Sequence, residues 1–195
     1  KEALYQGGYG NRYCVVRING LDTEWGKDDA AEVVEMDCDA VLLPTVNSPA
    51  DLDALAAITG DLPIWAMIET PLGIINAAAI AAHPKLEGFV MGTNDLAKDL
   101  NTRKGQNREP LLYALEAALL AARAYGKVIV DGVYNAFKDE NGLRAEAEQG
   151  RDLGFDGKTL IHPAQVAVAN EVFAPSADEL DLAQRQIEAF ETAEA

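Results

Sequence analysis

The run Ile64-Trp65-Ala66-Met67-Ile68, stopped by Glu69-Thr70-Pro71, and the run Gly88-Phe89-Val90-Met91-Gly92, stopped by Thr93-Asn94-Asp95, decide how this chain is read. Each is a short apolar stretch bounded by Pro or Gly and followed by a helical pattern, which is the mark of a buried parallel strand. Glu69 and Asp95 therefore stand at the carboxyl ends of strands. Working outward, the same alternation of strand, turn and helix places further strands near residues 13–19, 40–46, 128–133 and 157–161.

The turns support this register. Ser48-Pro49, Thr70-Pro71 and His162-Pro163 each put a potential N-cap before a proline at the first helical position. Ser48 with Asp51, and Ser176 with Glu179, have the spacing of a capping box. Over residues 109–125 the apolar positions Leu111, Leu112, Leu115, Leu119 and Ala122 form the stripe of a helix lying against a sheet.

Consecutive βα units give a parallel sheet with right-handed crossovers, a pattern that doubly wound sheets and closed barrels share. No G-x-G-x-x-G follows an early strand, and functional side chains stand at the ends of many strands rather than at one switch point. The predicted fold is α/β, a TIM (β/α)8 barrel. At 195 residues the chain is shorter than the roughly 250 typical of that fold, so the barrel is expected to be partial, with about six βα units visible. Lys1-Glu2-Ala3-Leu4 reads as the tail of a helix, and about two units are expected to precede it. Residues 1–175 read as the catalytic barrel, and 176–195 as a C-terminal helix leading to a lid segment.

A formal charge of -16 argues against nucleic acid or an anionic membrane as partner. No apolar run approaches the roughly 18 to 20 residues needed to cross a bilayer, and no signal-peptide pattern opens the chain. Cys14 and Cys38 have neither metal spacing nor a disulfide framework. A soluble, cytoplasmic protein is expected. Lys98, Arg103, Lys104 and Arg108 form one local basic patch, which charge alone reads as a solvated loop. The absence of a G-x-S-x-G elbow, a P-loop lysine and a Cys/His cluster removes serine hydrolases, nucleotide kinases and zinc enzymes.

Glu69 and Asp95 are the strongest candidates for chemistry. Each alone is equally well explained by pairing with Arg17 or by capping the next helix. Two strand-end acids on adjacent units instead favour a hard cation, and oxygen ligands without histidine favour Mg²⁺ over zinc. Arg17 ends the run Tyr13-Cys14-Val15-Val16 and is followed by Asn19 and Gly20. Its guanidinium is expected over the barrel mouth, where with Asn19 it would bind a carboxylate or thioester-linked acid, an internal salt bridge to Glu69 being the alternative. Asp131, in Val130-Asp131-Gly132, is a further strand-end acid expected to organise the site and contact substrate. His162 reads as a helix cap or a phosphate contact.

Val16-Arg17-Ile18-Asn19-Gly20-Leu21-Asp22-Thr23, Leu42-Leu43-Pro44, Ile68-Glu69-Thr70-Pro71-Leu72-Gly73, Gly92-Thr93-Asn94-Asp95-Leu96, and Gly154-Phe155-Asp156-Gly157-Lys158 through Ile161-His162-Pro163-Ala164-Gln165 occur in one order. Together they resemble the citrate lyase beta-subunit-like family, of the HpcH/HpaI aldolase/citrate lyase group, and particularly its malyl-CoA lyases and malyl-CoA thioesterases. The resemblance implies a Mg²⁺-dependent TIM barrel acting on CoA esters of hydroxy acids and assembled as a homotrimer or hexamer. It also implies Glu69 and Asp95 as metal ligands and Arg17 as the anchor for a 2-oxo acid.

The expected reaction is that of a lyase. A metal-polarised 2-oxo acid such as glyoxylate is attacked by the acyl-CoA enolate, and cleavage is the reverse. Malyl-CoA thioester hydrolysis is the alternative, and a non-catalytic CoA-ester-binding subunit a second. Thr45 stands where the family usually has lysine, and Asn94 where many members have glutamate, although the malyl-CoA branch often shares the asparagine. The family's amino-terminal Glu-Asp-Ala motif, and the Met-Ile-Asp motif whose aspartate serves a neighbouring subunit's site, do not occur in this sequence.

Overall fold

The computed structural model describes residues 2–103 and 107–193. Six parallel strands, β1 (Val15–Arg17), β2 (Ala40–Leu43), β3 (Ile64–Ile68), β4 (Leu86–Met91), β5 (Val128–Asp131) and β6 (Gly157–Lys158), form one sheet in sequential order. Each strand pairs with the next, as in Val41 with Ile64, Ile68 with Met91 and Asp131 with Lys158. Such an order is that of barrel staves, and a partial TIM-type barrel is what the described residues build.

After the short α1 (Glu2–Gln6), the connections are helical. They are α2 (Gly26–Val33), α3 (Pro49–Thr59), α4 (Pro71–Ile75) with α5 (Ala77–Ala81), α6 (Thr93–Asp99), α7 (Leu112–Ala124) and α8 (Glu140–Leu153). Beyond β6 lie α9 (Val166–Phe173) and α10 (Ala177–Ala193). Among the described residues no helix is long and apolar enough to cross a membrane.

Side chains alternate across each strand, and the alternation divides the sheet into two faces. Val41, Leu43, Ala66, Ile68, Phe89, Met91 and Ile129 point to the helices and are buried in one core with Leu52, Leu55, Ile80, Leu96 and Leu115. The opposite parity, including Arg17, Trp65 and Met67, faces the barrel interior. Gly88 belongs to this interior face, since a Cβ there would lie 3.0 Å from ring carbons of Trp65.

β3 matches its predicted run and β4 begins two residues earlier than predicted, at Leu86, whereas β1, β2, β5 and β6 are shorter than the sequence predicts, their last predicted residues turning into loops at the mouth. The span expected at 157–161 is a strand only over Gly157–Lys158, and Thr159 then donates through both its amide and its hydroxyl to the Asp131 carbonyl at 2.9 Å. The helix expected over 109–125 opens as a 3-10 turn at Glu109–Leu111, where Pro110 sits, before α7 begins. The predicted caps are present. Asp51 accepts from the Ser48 amide at 2.8 Å, Thr70 Oγ1 from the Gly73 amide at 3.0 Å, and His162 Nδ1 from the Ala164 amide at 3.1 Å.

The four basic residues do not form one patch in the fold. Lys98 and Arg103 are exposed and Lys104 lies outside the described residues, whereas Arg108 is buried against Asp131. Its partner on β5 draws it inward, which charge counting could not show. Lys1, Glu194 and Ala195 also lie outside the described residues.

Candidate active site

The candidate centre lies at the carboxyl ends of β1, β3 and β4. Arg17 is the last residue of β1, Glu69 follows β3, and Asp95 lies in the first turn of α6, just past β4. Val16 and Ile18 pack into the helix-side core, so the intervening Arg17 projects to the interior side, where it is exposed. No ion pair within 4 Å joins Arg17 to Glu69 among the described residues, so the alternative of an internal salt bridge does not describe this arrangement.

Glu69 is buried, and its two oxygens are used differently. Oε1 accepts from the Thr45 amide and from the Thr45 hydroxyl, both at 2.8 Å. Oε2 accepts no hydrogen bond among the described residues, yet it is not sealed from solvent. The close approach of β4 depends on Gly92, where a Cβ would lie 2.4 Å from the Glu69 Cβ and 2.5 Å from Oε2. Burial pushes the Glu69 carboxyl above its ordinary range; the Thr45 bonds oppose this, the negative charge of Asp95 adds to it, and Arg17 opposes it.

The turn after Glu69 is held from both sides. The Thr70 hydroxyl donates to Asn47 Oδ1, and Asn76 Nδ2 donates to the Asn47 carbonyl at 2.7 Å. Across the mouth, Asn94 and Asn135 exchange reciprocal amide bonds of 3.2 and 2.6 Å, tying the residue before Asp95 to the loop after β5. In that loop region Phe137 stacks on His162 with ring centroids 4.5 Å apart. Asn19 is bound to α2 through its backbone amide and Nδ2, which donate to Asp29 Oδ2 at 3.0 and 2.7 Å.

Asp131 is placed differently from the expectation that it contacts substrate. It shares the parity of Ile129 and points between sheet and helices, with no exposed surface. Its carboxylate accepts from Arg108 Nη1 at 2.7 Å, Lys158 Nζ at 3.1 Å and the Gly132 amide at 2.7 Å. A Cβ on Gly150 of α8 would lie 2.9 Å from Asp131 Oδ2, which fixes the group against that helix.

The donors at the mouth fit a hard cation. Glu69 Oε2 is an uncommitted carboxylate oxygen held in a cradle that a Cβ on Gly92 would fill, and Asp95 is exposed beside it. Among the described residues no group of three or more His, Cys, Asp or Glu converges, so no all-protein cage competes. Mg²⁺ suits such a site, because it is commonly held by one or two carboxylates with water and substrate oxygens completing its shell.

The model of the HpcH/HpaI aldolase/citrate lyase family matches residues 1–163. The chain belongs to that family. A (3S)-malyl-CoA thioesterase from Cereibacter sphaeroides (strain ATCC 17023) is 60% identical over 194 residues, covering 100% of this chain and 68% of its own length. The citrate lyase subunit beta of Escherichia coli (strain K12) is 37% identical over 191 residues, covering 92% of this chain and 63% of its own length. The chain thus spans about two thirds of the length of the curated relatives it matches. The protein CitE from Mycobacterium tuberculosis, solved in complex with magnesium, acetoacetate and coenzyme A, has a TM-score of 0.77 at 30% identity over 91% of this chain and 67% of that one.

These likenesses correct the lyase expectation. The relative at 60% identity is a malyl-CoA thioesterase, the alternative in the sequence reading, whereas the citrate lyase subunit stands at 37%. Within the HpcH/HpaI frame the two departures, Thr45 and Asn94, both have partners at the mouth, Glu69 for the first and Asn135 for the second. Sequence reading singled out neither Asn135 nor the bond from Thr45 to Glu69. Thr45 carried one signal as a departure from a familiar pattern; Asn135 carried none.

Proposed function

We propose that this chain hydrolyses the thioester of (3S)-malyl-CoA, or of a closely similar hydroxyacyl-CoA, at a Mg²⁺-dependent site formed by Arg17, Glu69 and Asp95. The observation that carries the reading is the likeness to a malyl-CoA thioesterase, which runs the whole of this chain. Hydrolysis forms two bonds, from water oxygen to the thioester carbonyl carbon and from a water proton to sulfur. It breaks two, the carbon–sulfur bond and a water O–H bond, giving malate and a protonated CoA thiol.

The chain's own groups have separable roles in this reading. Arg17, exposed and without a carboxylate partner within 4 Å among the described residues, keeps its planar fork for the free carboxylate of the malyl group. Glu69 and Asp95 hold the cation, which when bound supplies Lewis-acid polarisation of a substrate oxygen. Thr45, Asn47 and Thr70 fix the loops from which Glu69 is presented. Asn94 and Asn135 brace the α6 turn that carries Asp95. Asp131, sealed behind the sheet, takes no proton from substrate or water.

The deciding experiment is product analysis. The protein is incubated with (3S)-malyl-CoA and Mg²⁺, and malate plus free CoA are separated from glyoxylate plus acetyl-CoA. Malate and free CoA as the first products, lost on chelation of the metal, are expected. Glyoxylate and acetyl-CoA as first products would overturn the reading.

A further inference from the structure

Thr45 has a backbone that its side chain disfavours. Its φ is 53°, in the left-handed region where a β-branched residue is a true outlier and glycine is the ordinary occupant. Strain of this kind persists where the surrounding structure enforces it, and it concentrates at functional sites. Here the strained conformation has a visible result: it aims the amide and the hydroxyl of one residue at one oxygen, Glu69 Oε1, both at 2.8 Å. A glycine would relieve the backbone but supply only the amide.

The two donors fill the lone pairs of Oε1 and leave Oε2 with none engaged among the described residues. On the other side, Gly92 keeps the space against Oε2 clear, since a Cβ there would lie 2.5 Å away. The carboxylate is thereby sorted into a tethered oxygen and an open one, with its plane fixed before any cation arrives. We propose that Thr45 is a positioning residue that makes Glu69 a one-oxygen ligand, through Oε2, for the divalent cation. This rests on the cation reading given above and adds to it which oxygen binds and what holds it.

The test measures Mg²⁺ binding by calorimetric titration and by the Mg²⁺-dependent rise in melting temperature, with no substrate present. Thr45→Val removes the hydroxyl while keeping the shape, Thr45→Ser keeps the hydroxyl, and Thr45→Gly keeps only the amide. Removing an outer partner of a metal ligand typically weakens affinity 10- to 100-fold, so Thr45→Val should bind Mg²⁺ weaker by roughly that factor, and Thr45→Ser should stay within about threefold of the parent. Thr45→Gly gives effects of opposite sign: its metal-free form melts at or above the parent, because glycine adopts this φ without strain, while its Mg²⁺ affinity falls. Should Thr45→Val not fold, Thr45→Gly carries the test. Parent-like Mg²⁺ affinity in Thr45→Val or Thr45→Gly would overturn this inference alone. Absence of Mg²⁺ binding by the unsubstituted protein would overturn the cation site and this inference with it.

Discussion

Arg108 Nη1 lies 2.7 Å from both carboxylate oxygens of Asp131, and the pair is enclosed between β5 and α8. Lys158 Nζ reaches the same carboxylate at 3.1 Å and Glu146 at 2.6 Å, so two cations and two carboxylates form one compact network. Arg108 also donates through Nε to Gln149 at 2.7 Å. The network joins the chain before α7, the last residue of β5, the end of β6 and the inner side of α8. Buried charges are tolerated only when paired and hydrogen-bonded, and here each one is.

Breaking one partner of such a network leaves the others buried without compensation. Asp131→Asn is therefore expected to lower unfolding free energy by about 3–5 kcal/mol, as found when buried pairs are broken. Urea denaturation measures this, and KM for malyl-CoA in the folded fraction should stay near that of the parent. Normal stability with lost turnover would instead move Asp131 to the mouth.

Arg17 has the reverse profile. It is exposed and has no ion pair within 4 Å among the described residues, so Arg17→Lys should change stability by no more than about 0.5 kcal/mol. The substitution keeps the charge and loses the planar fork, and kcat/KM for malyl-CoA should fall on the order of 10²-fold. Steady-state kinetics beside a melting curve separates the two effects. Near-normal kcat/KM would remove Arg17 from substrate binding.

Glu69 and Asp95 are tested through linkage. A cation bound only to the folded state adds stability by mass action, about 2.7 kcal/mol at 100 times its dissociation constant. Glu69→Ala and Asp95→Ala should each abolish the Mg²⁺-dependent rise in melting temperature while remaining folded. Glu69→Ala carries an added metal-free cost, because the two Thr45 donors lose their shared acceptor. An unchanged Mg²⁺ response in both variants would remove the site.

Particular residues show why the strands and their mouth were legible while the network behind them was not. The five apolar residues of β3, with Pro63 before it and Pro71 after it, carry local signals, so the strand and the position of Glu69 follow from chain order alone. Asp131 stands at a strand end just as Glu69 does, yet it points to the other face, because strand ends set by burial do not fix side-chain parity. Arg108 looks like one member of a basic loop until the partner on β5, distant in sequence, is placed beside it. The left-handed backbone of Thr45 and the amide exchange of Asn94 with Asn135 depend on contacts between loops, and no spacing in the sequence encodes them.

The start of α10 provides a pH-dependent signal remote from the mouth. Glu179 accepts from the Ser176 amide at 2.6 Å, its own amide donates to Ser176 Oγ at 3.2 Å, and Arg151 Nη2 reaches it at 2.5 Å. These hydrogen bonds, those from Ser176 first and that from Arg151 next, lower the Glu179 carboxyl to about 2. The folded value lies below that of an unfolded glutamate, near 4.3, so the stabilisation is complete above about pH 4.3 and is lost as pH falls through the folded value. The Ser176 amide proton, followed by NMR, should therefore titrate with a midpoint near 2. In Glu179→Gln the same resonance should be flat over that range. A midpoint near the ordinary glutamate value in the parent would show that the capping box and the Arg151 contact do not hold α10 to α8 in solution.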